Sequence, residues 1–191
     1  MDSRVPRAGF VLVGGKSSRM GTDKANLPFR GGALVEHVAA AVAEAAGNVT
    51  LVGPPERYRG LDLPVIPDRA AGLGPLGGIH TALSASPADW NLIVACDLPV
   101  VSAKFLEMLM EAAEESGGDC LLPAGPSGRP EPLCAVYHSR CLPAIGAALD
   151  RDIRKVTDGL AGLRIVHRSV PESFWFRNVN TPEDWNQYLN G

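Results

Sequence analysis

The sequence has no Cys-x-x-Cys pair and no close grouping of histidines. Cys96, Cys120, Cys134 and Cys141 are scattered. That argues against a zinc site or a redox motif and fits small buried hydrophobes kept reduced in the cytosol. His37, His80, His138 and His167 match no metal spacing and read as structural groups. No apolar run approaches the ~20 residues of a membrane span. The N-terminal Met1-Asp2-Ser3-Arg4-Val5-Pro6-Arg7 lacks the apolar core of a signal peptide. A cytoplasmic protein with no membrane partner is expected. Basic residues form no stripe and the net charge is −3, so no nucleic-acid partner is expected either. No Ser-His-Asp chemistry suggests itself, and repeats, low-complexity tracts and linkers are missing.

What is present is an alternation of strand-like and helix-like patterns along 191 residues. The length suffices for one α/β domain with a real core. The alternation predicts a mostly parallel sheet flanked by helices in three layers. Helices are expected over 34–46, 76–84, 102–115, 140–149 and 153–160, with Ser102 as an N-cap and Gly117-Gly118 as a stop. Strands are expected over 9–13, 48–52, 90–95, 119–122 and 133–138. A late strand over 163–168 reads as an antiparallel edge. Thr181-Pro182-Glu183-Asp184 signals the start of a C-terminal helix. In such a sheet the ligand belongs at the carboxyl ends of the first strands.

The most informative segment follows the first strand. Leu12-Val13-Gly14-Gly15-Lys16-Ser17-Ser18-Arg19-Met20-Gly21-Thr22-Asp23-Lys24 combines glycines, hydroxyls and three cations. Glycines let the backbone approach a ligand closely. Successive amides with lysine and arginine nearby suit a polyphosphate. A Walker A loop is excluded because Phe10 stands where its first Gly belongs. A dinucleotide fingerprint is excluded because Gly14-Gly15 with Gly21 has the wrong spacing. The second strand also ends Gly53-Pro54-Pro55, without an acid for a ribose.

Leu92-Ile93-Val94-Ala95 delivers Asp97 to the same end of the sheet, and Pro99 ends the strand. A carboxylate beside a triphosphate calls for a divalent cation between them, and Mg²⁺ suits one or two carboxylates plus phosphate oxygens. The alternative, Asp97 as a helix cap, competes with Ser102 for that role. Asp68-Arg69 taken alone reads as a surface turn. Arg151, Arg154 and Lys155 form either a solvated helix face or a cradle for an anionic acceptor. Asn178 and Asn180 share a face if their segment is extended. Their amides suit a pterin or base edge, with helix N-capping as the other use of Asn180. Phe174, Trp175 and Phe176 read as packing rather than a stacking platform.

From Leu12 to Lys24 the chain resembles the signature Leu-Ala-Gly-Gly-x-Ser-x-Arg-Met-Gly-x-Asp-Lys of the MobA-like nucleotidyltransferases, with Val13 in place of Ala. Cys96-Asp97-Leu98-Pro99 resembles the family's Cys-Asp-x-Pro metal motif. Asp68 with Gly74-Pro75-Leu76-Gly77-Gly78 resembles its Asp followed by Gly-Pro-Leu-x-Gly. Arg129-Pro130-Glu131-Pro132-Leu133 and Asn178-Val179-Asn180-Thr181-Pro182-Glu183 resemble its x-Pro-x-Pro-Leu and Asn-x-Asn-Thr-Pro-Glu segments. At Gly53-Pro54 the chain departs from the family, many of whose guanylyl members place a nucleotide-contacting Asn there.

The resemblance implies a single domain over 1–191, with a Rossmann-like nucleotide-binding half (9–100) and an acceptor-binding half (101–191). It implies transfer of GMP from GTP to the phosphate of Mo-molybdopterin, releasing pyrophosphate, with Mg²⁺ as cofactor. Arg19, Lys24 and Asp97 would be catalytic, Asp97 also holding the metal. Leu12, Val13, Gly14, Gly15, Lys24, Asp68, Gly77 and Asp97 would bind the nucleotide. Arg154, Lys155, Asn178 and Asn180 would bind the acceptor. Transient contacts with other molybdenum-cofactor proteins fit the same role. Rival readings are a cytidylyl or other nucleotidyltransferase acting on molybdopterin or another phosphorylated acceptor, and a non-catalytic nucleotide-binding regulator.

Overall fold

The computed structural model describes residues 6–14, 24–69, 72–172, 174–179 and 184–185. Seven strands form one sheet in the order β5-β4-β1-β6-β8-β7-β9. They are β1 (Arg7–Leu12), β4 (Thr50–Val52), β5 (Val65–Ile66), β6 (Trp90–Ala95), β7 (Cys120–Ala124), β8 (Cys134–His138) and β9 (Ile165–Ser169). Two further short strands, β2 (Pro28–Phe29) and β3 (Gly32–Ala33), make a small hairpin. Only β8 runs against its neighbours in the main sheet. The expected mostly parallel α/β architecture is therefore the observed one.

Strand sequences explain why helices cover both faces. In β1, Ala8 and Phe10 pack into one core and Val11 into the other. In β6, Leu92 and Val94 face one side and Ile93 the other. Side chains of a strand alternate between faces, so a run apolar at every position must be buried on both. Helices α1 (Leu34–Ala46) and α3 (Ala103–Ser116) cover the first face. Helices α2 (Gly74–Ala85), α4 (Leu142–Asp150) and the single turn α5 (Val156–Gly159) cover the second.

The helix ends follow their sequence signals. The Ser102 hydroxyl accepts a hydrogen bond from the Phe105 amide at 3.3 Å, and Gly117 ends α3 in the left-handed region with φ 64°. Buried Phe105, Leu106, Leu109, Met110 and Ala113 form the helical stripe that meets the sheet.

Two expectations need correction. The late strand, β9, lies at the edge but runs parallel to β7, from Cys120 opposite Ile165 to Ala124 opposite Ser169. The intervening antiparallel β8 and α4 reverse the chain before it returns. The β2–β3 hairpin and β5 were not anticipated, because two-residue strands carry no readable periodicity. Of the expected C-terminal helix, only Asp184 and Trp185 lie within the described residues; Thr181, Pro182 and Glu183 lie outside them.

The order β5-β4-β1-β6 positions the site. The chain builds outward from β1 to β4 and β5, then crosses to place β6 on the other side of β1. That reversal opens a crevice at the carboxyl ends of β1 and β6.

Candidate active site

Leu12 and Ala95 are partners at the ends of β1 and β6. Beyond them the Cys96 amide donates to the Leu12 carbonyl at 3.2 Å, and the Val13 amide donates to the Val52 carbonyl at 2.9 Å. Three strand ends are thereby tied together, and the chain leaves them at Gly14 and at Asp97. Gly14 has φ 101°, a conformation L side chains rarely adopt, so glycine is required where the phosphate-loop candidate begins. Gly15 and Arg19 lie outside the described residues.

Lys24 re-enters the fold in a 3-10 turn, Lys24–Asn26, anchored by fully buried Ala25. Its ammonium acts on Asp97. Burial pushes the half-buried Asp97 carboxyl above the usual aspartate range, and the Lys24 charge opposes that rise. Lys24 and Asp97, 73 positions apart in the chain (97 − 24), are thus electrostatic neighbours at one strand end.

Helix α2 lies over the same end. Gly77 and Gly78 are buried in its second turn. A methyl group at Gly78 would stand 3.3 Å from the Leu12 side chain, so the glycine permits the helix its close approach. Pro75 occupies the first turn, and Leu73 offers no capping side chain to its amides. Asp68 follows β5 and is held from α2: the Thr81 hydroxyl donates to Asp68 Oδ1 at 2.9 Å. Thr81 is 2% exposed, so this bond is fixed from inside the core. The sequence reading did not single out Thr81; its spacing of one helical turn from Gly77 was the available signal. Thr81→Val keeps the shape and removes the donor. It is expected to weaken nucleotide binding about 5-fold, the equivalent of one ordinary hydrogen bond, with Thr81→Ser restoring it; calorimetry on both variants checks this.

The acceptor candidates fall in two places. The Val179 amide donates to the Asp97 carbonyl at 3.0 Å, which brings the exposed Asn178 beside the metal candidate. Asn180 lies outside the described residues. Arg154 instead lies beside the start of α2: its carbonyl is 3.9 Å from where a Gly74 Cβ would sit. It pairs with Asp152, while Lys155 Nζ bonds Asp158 Oδ1 at 3.1 Å and Arg151 Nε donates to the Ala147 carbonyl at 3.1 Å. Each of the three cations thus has a local partner.

Trp175 stacks on Phe105 with ring centroids 4.8 Å apart, and Phe176 meets the same ring edge-on. Packing is their role, as expected, while Phe174 remains 46% exposed. His37 and His138 sit edge-on to Phe29 and Trp90, and burial lowers the pKa of each. Cys120, Cys134 and Cys141 are buried and Cys96 half-buried, all as free thiols. Among the described residues no group of three or more His, Cys, Asp or Glu could hold a metal. No helix among them is long and apolar enough to cross a membrane.

A half-sheet wound outward from β1 in both directions, with a glycine turn, a lysine and a half-buried aspartate at its switch point, is the architecture of nucleotide-binding α/β proteins. The comparisons with known proteins narrow that class. Residues 9–165 match the model of the MobA-like NTP transferase domain, and the chain belongs to that family. A probable molybdenum cofactor guanylyltransferase from Flavobacterium johnsoniae is 34% identical over 179 residues, covering 93% of each chain. One from Nostoc is 36% identical over 181 residues, covering 92% of this chain and 86% of the relative. The crystal structure of molybdopterin-guanine dinucleotide biosynthesis protein A from Archaeoglobus fulgidus superposes with a TM-score of 0.81 at 29% identity, covering 94% of this chain and 95% of that one.

Proposed function

We propose that the protein transfers GMP from GTP to the phosphate of Mo-molybdopterin, forming molybdopterin guanine dinucleotide and releasing pyrophosphate, in the cytoplasm. The observation that carries this reading is the meeting of Leu12–Gly14, Lys24 and Asp97 at one pair of strand ends. Guanylyltransferase relatives that align with nearly the whole chain supply the substrates.

The donor set suits Mg²⁺. A half-buried carboxylate is an oxygen ligand for a hard cation, and among the described residues no thiol or imidazole cluster competes for a softer one. Asp97 would hold the ion, whose bound charge would neutralise phosphate oxygens. Lys24, and Arg19 from the preceding loop, would offset charge building on the α-phosphate and the departing pyrophosphate. The backbone at Leu12, Val13, Gly14 and Gly15, with Asp68 and Gly77, would hold base and ribose. Asn178 and Asn180 would orient the pterin, with Arg154 and Lys155 toward its phosphate. The acceptor phosphate is already ionised, so positioning carries most of the rate and no strong general base is needed. The 9–100 half would thus serve the nucleotide and the 101–191 half the acceptor. Transient docking with other molybdenum-cofactor proteins would deliver and collect the pterin.

The test is calorimetry with GTP, CTP and ATP in Mg²⁺, followed by pyrophosphate release with molybdopterin present. GTP is expected to bind at least tenfold tighter than CTP, since a mispaired base leaves buried polar groups unsatisfied at about 1–3 kcal/mol each. Faster transfer from CTP would make the chain a cytidylyltransferase. Binding without pyrophosphate release would make it a regulator.

A further inference from the structure

The chain between β6 and α3 carries Asp97 and has no strand or helix of its own. Three contacts with three other parts of the fold hold it in place. The Cys96 amide donates to the Leu12 carbonyl of β1, and the Asp97 carbonyl accepts from the Val179 amide. The third contact comes from α1, where the His37 ring donates to the Pro99 carbonyl. Pro99 is buried, and a buried carbonyl that loses its donor is costly to leave unpaired.

His37 is itself braced. Its ring meets Phe29 edge-on, with centroids 4.6 Å apart. Phe29 is 4% exposed and also meets the Trp185 ring at 5.8 Å and the Arg30 guanidinium at 5.2 Å. It stands in β2, and just before that strand the Leu27 amide donates to the Lys24 carbonyl at 3.1 Å. A chain of contacts thus runs from the Lys24 turn through Phe29 and His37 to the Asp97 loop. Burial and the Arg30 charge hold the imidazole below the ordinary histidine range, against the pull of the Pro99 carbonyl. The neutral ring keeps one N–H, which is what that carbonyl needs.

We propose that His37 is a positioning residue: by fastening Pro99 from α1 it fixes where Asp97 stands relative to Lys24. The inference rests on the reading of Asp97 and Lys24 as catalytic groups. In that reading positioning carries most of the rate, and a displacement of about 1 Å can cost about a hundredfold. The histidine that the sequence marks only as structural thereby acquires a task in turnover.

The experiment measures kcat and KM for pyrophosphate release from GTP, with Mg²⁺ and molybdopterin present, in the wild type, His37→Phe, His37→Asn and His37→Gln. Rates are read well below each melting transition, which is recorded separately. His37→Phe keeps a ring against Phe29 and removes the donor. His37 and Pro99 line one cavity of about 290 Å³, which leaves room for the phenyl group. His37→Phe is expected to melt near the wild type and to lose about tenfold in kcat, with the KM for GTP within about twofold. The Asn and Gln amides mimic the two ring nitrogens in turn, and one of them is expected to recover most of the rate. Wild-type kcat in His37→Phe overturns the proposal, as does a loss that neither amide repairs. A raised KM with unchanged kcat overturns it too, since His37 then serves binding. A His37→Phe chain that does not fold overturns it by making His37 a residue of stability alone. All of these outcomes leave the guanylyltransferase reading standing, whereas a wild type that releases no pyrophosphate overturns both.

Discussion

Asp97→Asn is expected to abolish turnover and to raise the melting temperature. The loss of turnover follows from removing the carboxylate that would hold the metal. Such stabilisation is worth several kcal/mol in the transition state, and at about 1.4 kcal/mol per tenfold this is roughly a thousandfold in rate. The gain in stability follows from burial. The folded protein holds the Asp97 proton more tightly than the unfolded chain does, because burial disfavours the charge more than Lys24 favours it. Stability from this group is therefore complete below the ordinary aspartate pKa and is lost as pH rises through the higher folded value. At neutral pH the charge costs stability, and the neutral amide removes that cost. In a chain of this size about 1 kcal/mol moves Tm by about 2–4 °C, so a rise of a few degrees is expected, shrinking as pH falls toward 4. A fall in Tm would show that Asp97 holds the fold together instead.

Gly53→Asn is expected to damage the protein, although the family resemblance implies a nucleotide-contacting Asn at this place. A Cβ at position 53 would stand 2.1 Å from the Val13 carbonyl oxygen and 2.8 Å from Val13 Cγ2. The oxygen belongs to a backbone fixed on both sides: the Val13 amide donates to Val52, and the Gly53 amide donates to Ile66 at 3.0 Å. Neither partner can yield without breaking the ladder at the strand ends. The cost is expected at about 3 kcal/mol, the upper end of ordinary overpacking, or roughly 6–12 °C in Tm. Nucleotide affinity is expected to fall with it. Adding Val13→Ala removes the Cγ2 contact and leaves the carbonyl contact, so recovery is expected to be small. Thermal melting and calorimetry on the single and double variants check this. A stable Gly53→Asn protein that binds GTP more tightly would show that the strand ends can open to admit the side chain.

Much of the fold was legible in the chain because it depends on short-range rules. Residues 90–95 read as a strand from an unbroken apolar run, and β6 occupies those positions. Ser102 and Gly117 marked the limits of α3 because capping is local chemistry. The phosphate-loop candidate and Asp97 were found for a similar reason: glycines and a strand-ending acid carry their meaning in their immediate neighbours. The direction of β9 was not legible, since it depends on how many times the intervening chain reverses.

The sequence by itself determined the types of the longer elements, the two-faced burial of the sheet and the candidate groups at the ends of β1 and β6, all of which follow from propensity, period and capping. Only the tertiary structure decided which of those groups act together. It set Lys24 against Asp97, fastened Asp68 to Thr81 on another element, and brought Val179 to the Asp97 backbone. It also placed Arg154 at the start of α2. The physical reason is that a pairing across strands or between a strand and a helix depends on register and crossover, which are properties of the whole packed chain and are encoded in no single segment of it.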